Sequence, residues 1–295
     1  MKLTYTIKPS EKFDNIKQVL KNEFCISDRL LLKLKKNNKI FLNNSPCNIK
    51  DYVHSNDIID VFLDLEEDNS NIIPKKMNLN IIYEDNHLLV INKPAGLPIH
   101  PSMLHYEDSL SNGVKYYFDC INLHKKIRPV NRLDKDTSGL VVFAKNEYIQ
   151  ECLIKQMTSN TFIKEYIAIC TTIPNLKTSG TINACISRKE NSIIERCINP
   201  NGDTAITHYN IIKSNSELSV LNLILETGRT HQIRVHLAHI GIPIIGDTLY
   251  GTSSNLICRQ ALHSYKVKFI HPITHIKMEL IATLYEDMQN IINNI

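Results

Sequence analysis

The chain of 295 residues has eight cysteines but no CxxC pair, no run of eighteen apolar residues, no internal repeat and no low-complexity tract. Each absence removes a class of protein. Cysteines scattered singly fit free thiols in a reducing compartment and argue against a disulfide framework or a structural zinc site. Without a long apolar run there is no candidate membrane-spanning helix. The first twenty residues, MKLTYTIKPSEKFDNIKQVL, carry charge throughout and lack the apolar core of an export signal, so a cytoplasmic location is expected. A net charge of +4 is too small to argue for a nucleic-acid partner, so where the charges fall matters more than their sum.

They fall most densely in residues 130–146, VNRLDKDTSGLVVFAKN. Arg132, Asp134, Lys135 and Asp136 crowd a loop that runs through Gly139 into the apolar strand 140–144. A rigid strand can fix such a loop and let it present polar groups to a ligand. Asp134 and Asp136, two apart, would share one face of an extended segment, with Arg132 on the same side. Alone, the pattern fits a solvated turn with a local ion pair, the paired carboxylates of a glycosidase or metal nuclease, or a catalytic loop.

Residues 1–65 read as a separate small domain. Ser27 is a plausible helix cap, Leu30, Leu31 and Leu34 recur at helical spacing, and Arg29, Lys33, Lys35 and Lys36 fill the other face. A strand at 39–42, a tight turn at Asn43-Asn44 and a closing strand at 58–63 follow. The acidic stretch DLEEDNSNIIPKK suggests an exposed linker, placed at 66–76, before a second domain at 77–295. That domain is expected to contain strands at 79–83 and 87–92, the stiff loop KPAGLPIHP from Lys93, a helix at 110–118 and another at 146–157. Strands follow at 164–169, 179–187, 205–213 and 218–226, then a helix capped by Thr230, then strands at 261–270 and 277–284. Arg229 and Arg234 lie five apart, so they face different partners. His231, His236 and His239 have no carboxylate at ligand spacing and sit among arginines that would repel a cation, so no metal is expected. Tyr166 by itself reads as a half-buried core residue.

Five separated blocks nevertheless carry distinctive wording: YEDNHLLVINKPAGLPIHPS, RLDKDTSGL, the K-x-Y at 164–166, TGRTHQIRVHL with the later GIPIIGDTLYG, and ALHSYKVKFIHPIT. Together they cover most of residues 79–284 and closely resemble the RluA-type pseudouridine synthases. Asn131 departs from the pattern, standing where that family usually has histidine. The resemblance implies an α+β protein whose catalytic domain holds a large mixed, mainly antiparallel sheet. It further implies Asp134 as the catalytic aspartate with Arg132 as its partner, Tyr166 lining the uridine pocket, and Arg234 paired with the aspartate. Lys93 and Arg229 are expected at the substrate. The N-terminal stretch, with its I-F-L-N-N and N-D-I-I-D-V segments, is similar to the small RNA-binding domain first named from a ribosomal small-subunit protein, which places Arg29, Lys33, Lys35 and Lys36 on RNA.

An RNA pseudouridine synthase is therefore expected. Its reaction breaks the bond from ribose C1′ to uracil N1, turns the base and rejoins C1′ to C5, with no redox or phosphoryl step and so no cofactor. Arginines beside the aspartate suit that task by favouring its ionised form. A base inside folded RNA must first be extruded; planar Arg132 could fill the vacated stack while Tyr166 packs on the flipped uracil. The partner would be ribosomal or transfer RNA, with large-subunit ribosomal RNA favoured because relatives with this N-terminal module often act there. No membrane and no obligatory protein partner are expected, and the chain should be a monomer. A catalytically silent RNA-binding protein of the same fold competes, raised by Asn131 and opposed by the retained Asp134 and Arg234; a transfer-RNA-directed synthase is the other alternative.

Overall fold

The computed structural model describes residues 1–65 and 67–295; Glu66, the first residue of the expected linker, lies outside the described residues. The chain opens with β1 (Lys2–Thr6) and α1 (Ile16–Asn22), then α2 (Asp28–Lys36), the expected basic helix. Ser27 starts α2 by accepting the Leu30 backbone N–H, and Leu30, Leu31 and Leu34 are buried beneath it. β2 (Ile40–Leu42), β3 (Ser45–Pro46) and β4 (Ile58–Phe62) complete a four-stranded antiparallel sheet in the order β1-β4-β2-β3. Asn43 and Asn44 join β2 to β3 with φ of 49° and 66°, the left-handed pair that a two-residue hairpin turn requires.

The acidic stretch that follows has no helix or strand among its described residues, as expected of a linker, but it is not a free spacer. Arg128 grips Glu67 through both terminal nitrogens. Asn69 donates to the Lys125 carbonyl at 3.1 Å, and Asn112 donates to the Ile73 carbonyl at 2.8 Å. Its carboxylate and its polar backbone find partners on the second part of the chain.

That second part continues with β5 (Ile81–Glu84), β6 (Leu88–Lys93), α3 (Leu110–Cys120), β7 (Ser138–Ala144), α4 (Glu147–Thr158), β8 (Ile163–Thr171) and β9 (Ser179–Asn183). Then come β10 (Ile186–Arg188), β11 (Arg196–Ile198), β12 (Ile206–Ser214), β13 (Leu218–Leu225), α5 (Gln232–His239), β14 (Leu262–Ile270), β15 (Lys277–Ile281) and α6 (Glu286–Asn293). Among the described residues a nine-stranded sheet runs β5-β6-β7-β14-β8-β13-β12-β9, with β15 also paired to β14. Its pairs are antiparallel except β7 with β14, which is parallel, so the sheet is mixed and mainly antiparallel as expected. The strand expected at 179–187 divides: β9 joins the large sheet, while β10 turns away to pair with β11. β1, α1 and α6 are further elements that periodicity did not reveal.

Strands β6 and β7 are buried along their whole length. Alternate residues face opposite ways. Leu89, Ile91, Val141 and Phe143 pack with Leu110, Val114 and Phe118 of α3. Leu88, Val90, Leu140 and Val142 pack on the other side, in one cluster with Leu30, Leu34 and other residues of the N-terminal part. The N-terminal module thus shares one apolar cluster with this face of the large sheet, on which α4 also packs.

Register places the site. Lys93 pairs with Gly139, Gly139 with Ser264, Ser264 with Tyr166, and Tyr166 with Leu223, one row across five strands. At Gly139, φ is 112° and an added Cβ would stand 2.3 Å from the Ser264 carbonyl oxygen. Only glycine allows β7 and β14 to approach there. Gly139→Ala is accordingly expected to destabilise the protein by about 2 kcal/mol or more, since it adds both a strained backbone and a backbone clash. Chemical denaturation of the two proteins checks this; an unchanged midpoint would remove the close approach as a constraint.

Candidate active site

The expected catalytic residues converge where β7, β8 and α5 end on one slot. Residues 131–137 form its first wall. Asn131 is buried and acts as a clasp: its Nδ2 donates to the Leu140 carbonyl at 2.9 Å, and its Oδ1 accepts the Val142 N–H at 2.9 Å. An amide supplies one donor and one acceptor, so it can hold the loop to β7. The loop then turns, with the Thr137 N–H reaching the Asp134 carbonyl at 3.1 Å. Because it turns, Asp134 and Asp136 do not share a face as an extended segment would require; Asp134 lines the slot and Asp136 does not.

Arg234, third residue of α5, supplies the charge opposite Asp134. Its Nε and Nη2 donate to the two carboxylate oxygens of Asp247 at 2.7 and 2.8 Å, and its Nη1 donates to Asp134 Oδ2 at 3.1 Å. Asp247, to which the sequence alone assigns no role, thus orients the arginine that faces Asp134. Burial pushes its carboxyl pKa up, but the hydrogen bonds and charge of Arg234, with the backbone N–H groups of Leu249 and Tyr250, bring it below the ordinary carboxylate range. Asp134 Oδ1 has no hydrogen-bond partner among the described residues. One oxygen is held and the other is unpartnered.

The slot, about 60 Å³, is walled by Leu133, Tyr166, Leu225, Ile233 and Leu262, with Arg132, Asp134, Arg229, His231 and Arg234 at its polar side. Apolar side chains beside many polar and charged groups suit a small, hydrogen-bonding ligand. Tyr166 is buried, and desolvation pushes its phenol above the usual range, so it remains protonated at neutral pH. His231 lies 3.9 Å from Asp134 through Nε2 and 2.8 Å from the Tyr250 hydroxyl through Nδ1. Burial lowers its pKa, with Arg234 and Arg196 adding to that effect against the pull of Asp134 and Asp247. The Tyr250 ring also lies 5.0 Å from the Arg234 guanidinium carbon.

Several expectations change here. Thr230 does not cap α5; the helix begins at Gln232, behind His231 at φ 57°. Gln232 explains the shift, because its Oε1 accepts both the Thr227 hydroxyl and the Arg229 N–H, and closes the turn before the helix starts. Lys93, expected at the substrate, is fully buried, and its ammonium donates to the carbonyls of Pro94, Leu97 and Lys135 at 2.8, 2.8 and 2.9 Å. It ties the proline-rich loop to the catalytic loop and does not line the slot. Burial presses its pKa down to about 7 against the opposing charge of Asp136. Arg132 and Arg229 do rim the slot. Arg229 donates to the Thr204 carbonyl and not to the carboxylates of Arg234, so the two arginines serve different partners as expected. His231 and His236 also diverge, the latter bonding Thr207 and the Ala184 carbonyl. On α2, Lys33 pairs with Glu147 of α4, and Arg29 lies 3.5 Å from the same carboxylate, while Lys35 and Lys36 are exposed.

Comparisons with known proteins identify the family. A family model described as RNA pseudouridylate synthase matches residues 87–239. The chain is 44% identical to the Bacillus subtilis (strain 168) protein named uncharacterized RNA pseudouridine synthase YhcT, over 78% of this chain and 77% of that one. It is 35% identical to ribosomal large subunit pseudouridine synthase D of Yersinia pestis, over 96% of this chain and 88% of that one. Among solved structures, human RNA pseudouridylate synthase domain containing 4 shares the fold with a TM-score of 0.59, at 21% identity over 72% of this chain and 92% of that one. The chain belongs to the RNA pseudouridine synthases of the RluA type, isomerases that convert uridine in RNA to pseudouridine.

Proposed function

We propose that Asp134 is the reacting carboxylate and that the substrate is a uridine in large-subunit ribosomal RNA. The observation that carries the first part is the Arg234 fork, which fixes Asp134 Oδ2 and leaves Oδ1 without a partner in a slot that Tyr166 also lines. Whether the carboxylate attacks carbon or removes a ribose proton, the step starts from that free oxygen. In the overall reaction the C1′–N1 bond breaks, a C1′–C5 bond forms, and the hydrogen of C5 is exchanged for one on N1. Leu133, Tyr166 and Leu262 hold the detached uracil while it turns, and Arg132 at the rim occupies the place it left in the stack. Support for the substrate comes from the relative named as a large-subunit synthase, whose match takes in 96% of this chain.

The N-terminal residues 1–65 act, in this reading, as an RNA-binding module joined through 66–76 to the catalytic residues 77–295. Its contacts with RNA fall to Lys35, Lys36 and the exposed Arg29, since Lys33 is engaged by Glu147. The protein works as a cytoplasmic monomer without an obligatory partner. Free cysteines support that location, as does the lack, among the described residues, of any helix long and apolar enough to cross a membrane.

Asp134→Asn keeps shape and removes the ionised oxygen, so pseudouridine formation should fall by about a thousandfold or more while RNA affinity holds. Asp136→Asn, outside the slot, should stay within about tenfold of wild type. Single-turnover tritium release from 5-tritiated uridine in RNA measures both; equal losses would favour paired carboxylates.

Asp247→Asn should cost about 3–5 kcal/mol at pH 7, because Arg234 loses its main counter-charge. The native carboxyl pKa is depressed, so its stabilisation is complete above the unfolded value near 4 and is lost as pH falls through the lower, native one. The stability gap between wild type and variant should therefore narrow in acid. Denaturant unfolding at pH 7 and pH 3 reads it, and a constant gap would show that charge is not the cause.

Replacing Lys35 and Lys36 by Gln should flatten the dependence of log affinity on log salt by about 0.7–0.9 for each phosphate no longer neutralised. Lys33→Gln should leave that slope alone and lower stability by about 1 kcal/mol or less. Filter binding over a salt series separates the two, and a slope change with Lys33 alone would reverse the assignment.

A further inference from the structure

Beside the Asp134 slot lies a second and much larger opening, a groove of about 590 Å³ that shares Arg132, Tyr166, Leu225 and Arg229 with it. Its remaining lining includes Asn160, Lys164 and Gly228. The slot suits a base; the groove is several times larger and cationic, and it opens from the same rim. Whatever is covalently attached to a base in the slot must pass through or past it.

Lys164 stands out within that groove. It lies two residues before Tyr166 on β8, hence on the same face of the strand. Its side chain is partly buried, yet its ammonium has neither an ion pair nor a hydrogen bond among the described residues. The neighbouring lysines of the sheet differ: Lys266 and Lys268 both reach Glu165 and Glu279. The groove's own carboxylate, Glu226, is taken by His208 at 2.6 Å. Gly228 forms the floor beneath the ammonium, since a Cβ there would stand 3.3 Å from Lys164 Nζ. A half-buried cation without a counter-ion is costly unless a ligand supplies the charge. Desolvation accordingly lowers the Lys164 pKa, and nothing on the protein opposes it.

We propose that Lys164, seated over Gly228, binds the phosphodiester next to the target uridine and so fixes the RNA backbone while the base enters the slot. A point charge with three rotatable donors suits a phosphate whose orientation changes as the base swings out. Arg132 and Arg229 border the same groove, and past Gly228 and Arg229 a smaller groove of about 280 Å³ carries Arg188 and Arg196, which gives the strand a basic path onward. The assignment rests on Asp134 being the reacting carboxylate, because that is what makes the slot the place of the uridine.

The test uses full-length protein and an unmodified large-subunit ribosomal RNA transcript, in wild type, Lys164→Met and Lys164→Arg. Removing one charged interaction should weaken binding about tenfold in Lys164→Met, with Arg restoring most of it. The slope of log affinity against log salt should fall by about 0.7, the value for one phosphate on a single strand. Ethylation interference locates the contact: wild type should show one sensitive phosphate beside the modified uridine that Lys164→Met no longer senses. An identical interference pattern in Lys164→Met, or an unchanged salt slope, would overturn the proposal. These readouts are binding measurements, so they stand even if Asp134→Asn proves active and the catalytic assignment fails. Circular dichroism of Lys164→Met guards against misfolding, and Lys164→Gln repeats the measurement if Met disturbs the strand.

Discussion

One buried guanidinium organises the catalytic half of this protein. Arg234 offers three directed N–H groups, and Asp247 takes two of them in the bidentate geometry that only arginine provides. The third is left pointing at Asp134. Asp247 is in turn held by the backbone of Leu249 and Tyr250, so the carboxylate that aims the arginine cannot itself drift. Three segments distant in sequence, the loop before β7, the start of α5 and the turn after it, are locked by one positive charge between two negative ones. A lysine could balance the charge but could not set the direction.

The parts of this arrangement legible in the sequence are those with local signals. Ser27 before three leucines at helical spacing announces α2, and the helical spacing after Asn146 announces α4, which Asn146 caps. The strand LVVFA reads as buried on both faces because it is. β1 is hard to read although KLTYT alternates polar and apolar residues, because five residues carry only a short signal. Asp134, Tyr166 and Arg234 were found through motif wording, not periodicity. Asp247 lies within the block GIPIIGDTLYG but receives no role from it, since its role is a contact thirteen residues back along the chain that no spacing rule encodes. Lys93 was misplaced for a similar reason. A lysine before Pro-Ala-Gly looks like an exposed loop charge, and only the register with Gly139 shows that it points inward to three carbonyls.

The N-terminal module meets the catalytic sheet by the same mixture of apolar packing and buried charge. Glu147 and Glu151 open the α4 helix directly after β7, and they receive Lys33 and Ser27 from α2. Leu30 and Leu34 complete the contact from below. A module held this way carries its exposed lysines at a fixed offset from the cleft. The distance between those lysines and the Asp134 slot is then a property of the fold and not of a loose tether.

The parallel pairing of β7 with β14 has a consequence for how the protein comes into being. It joins Ser138 to His263, 125 residues later, where the serine hydroxyl meets the histidine ring at 2.9 Å. Contacts so far apart in sequence form late, because the intervening chain must first be ordered. On the ribosome, Asp134 emerges long before Arg234, Asp247 and β14 exist to receive it. A nascent chain therefore displays its basic N-terminal helix but no assembled cleft until α5, Asp247 and β14 have followed.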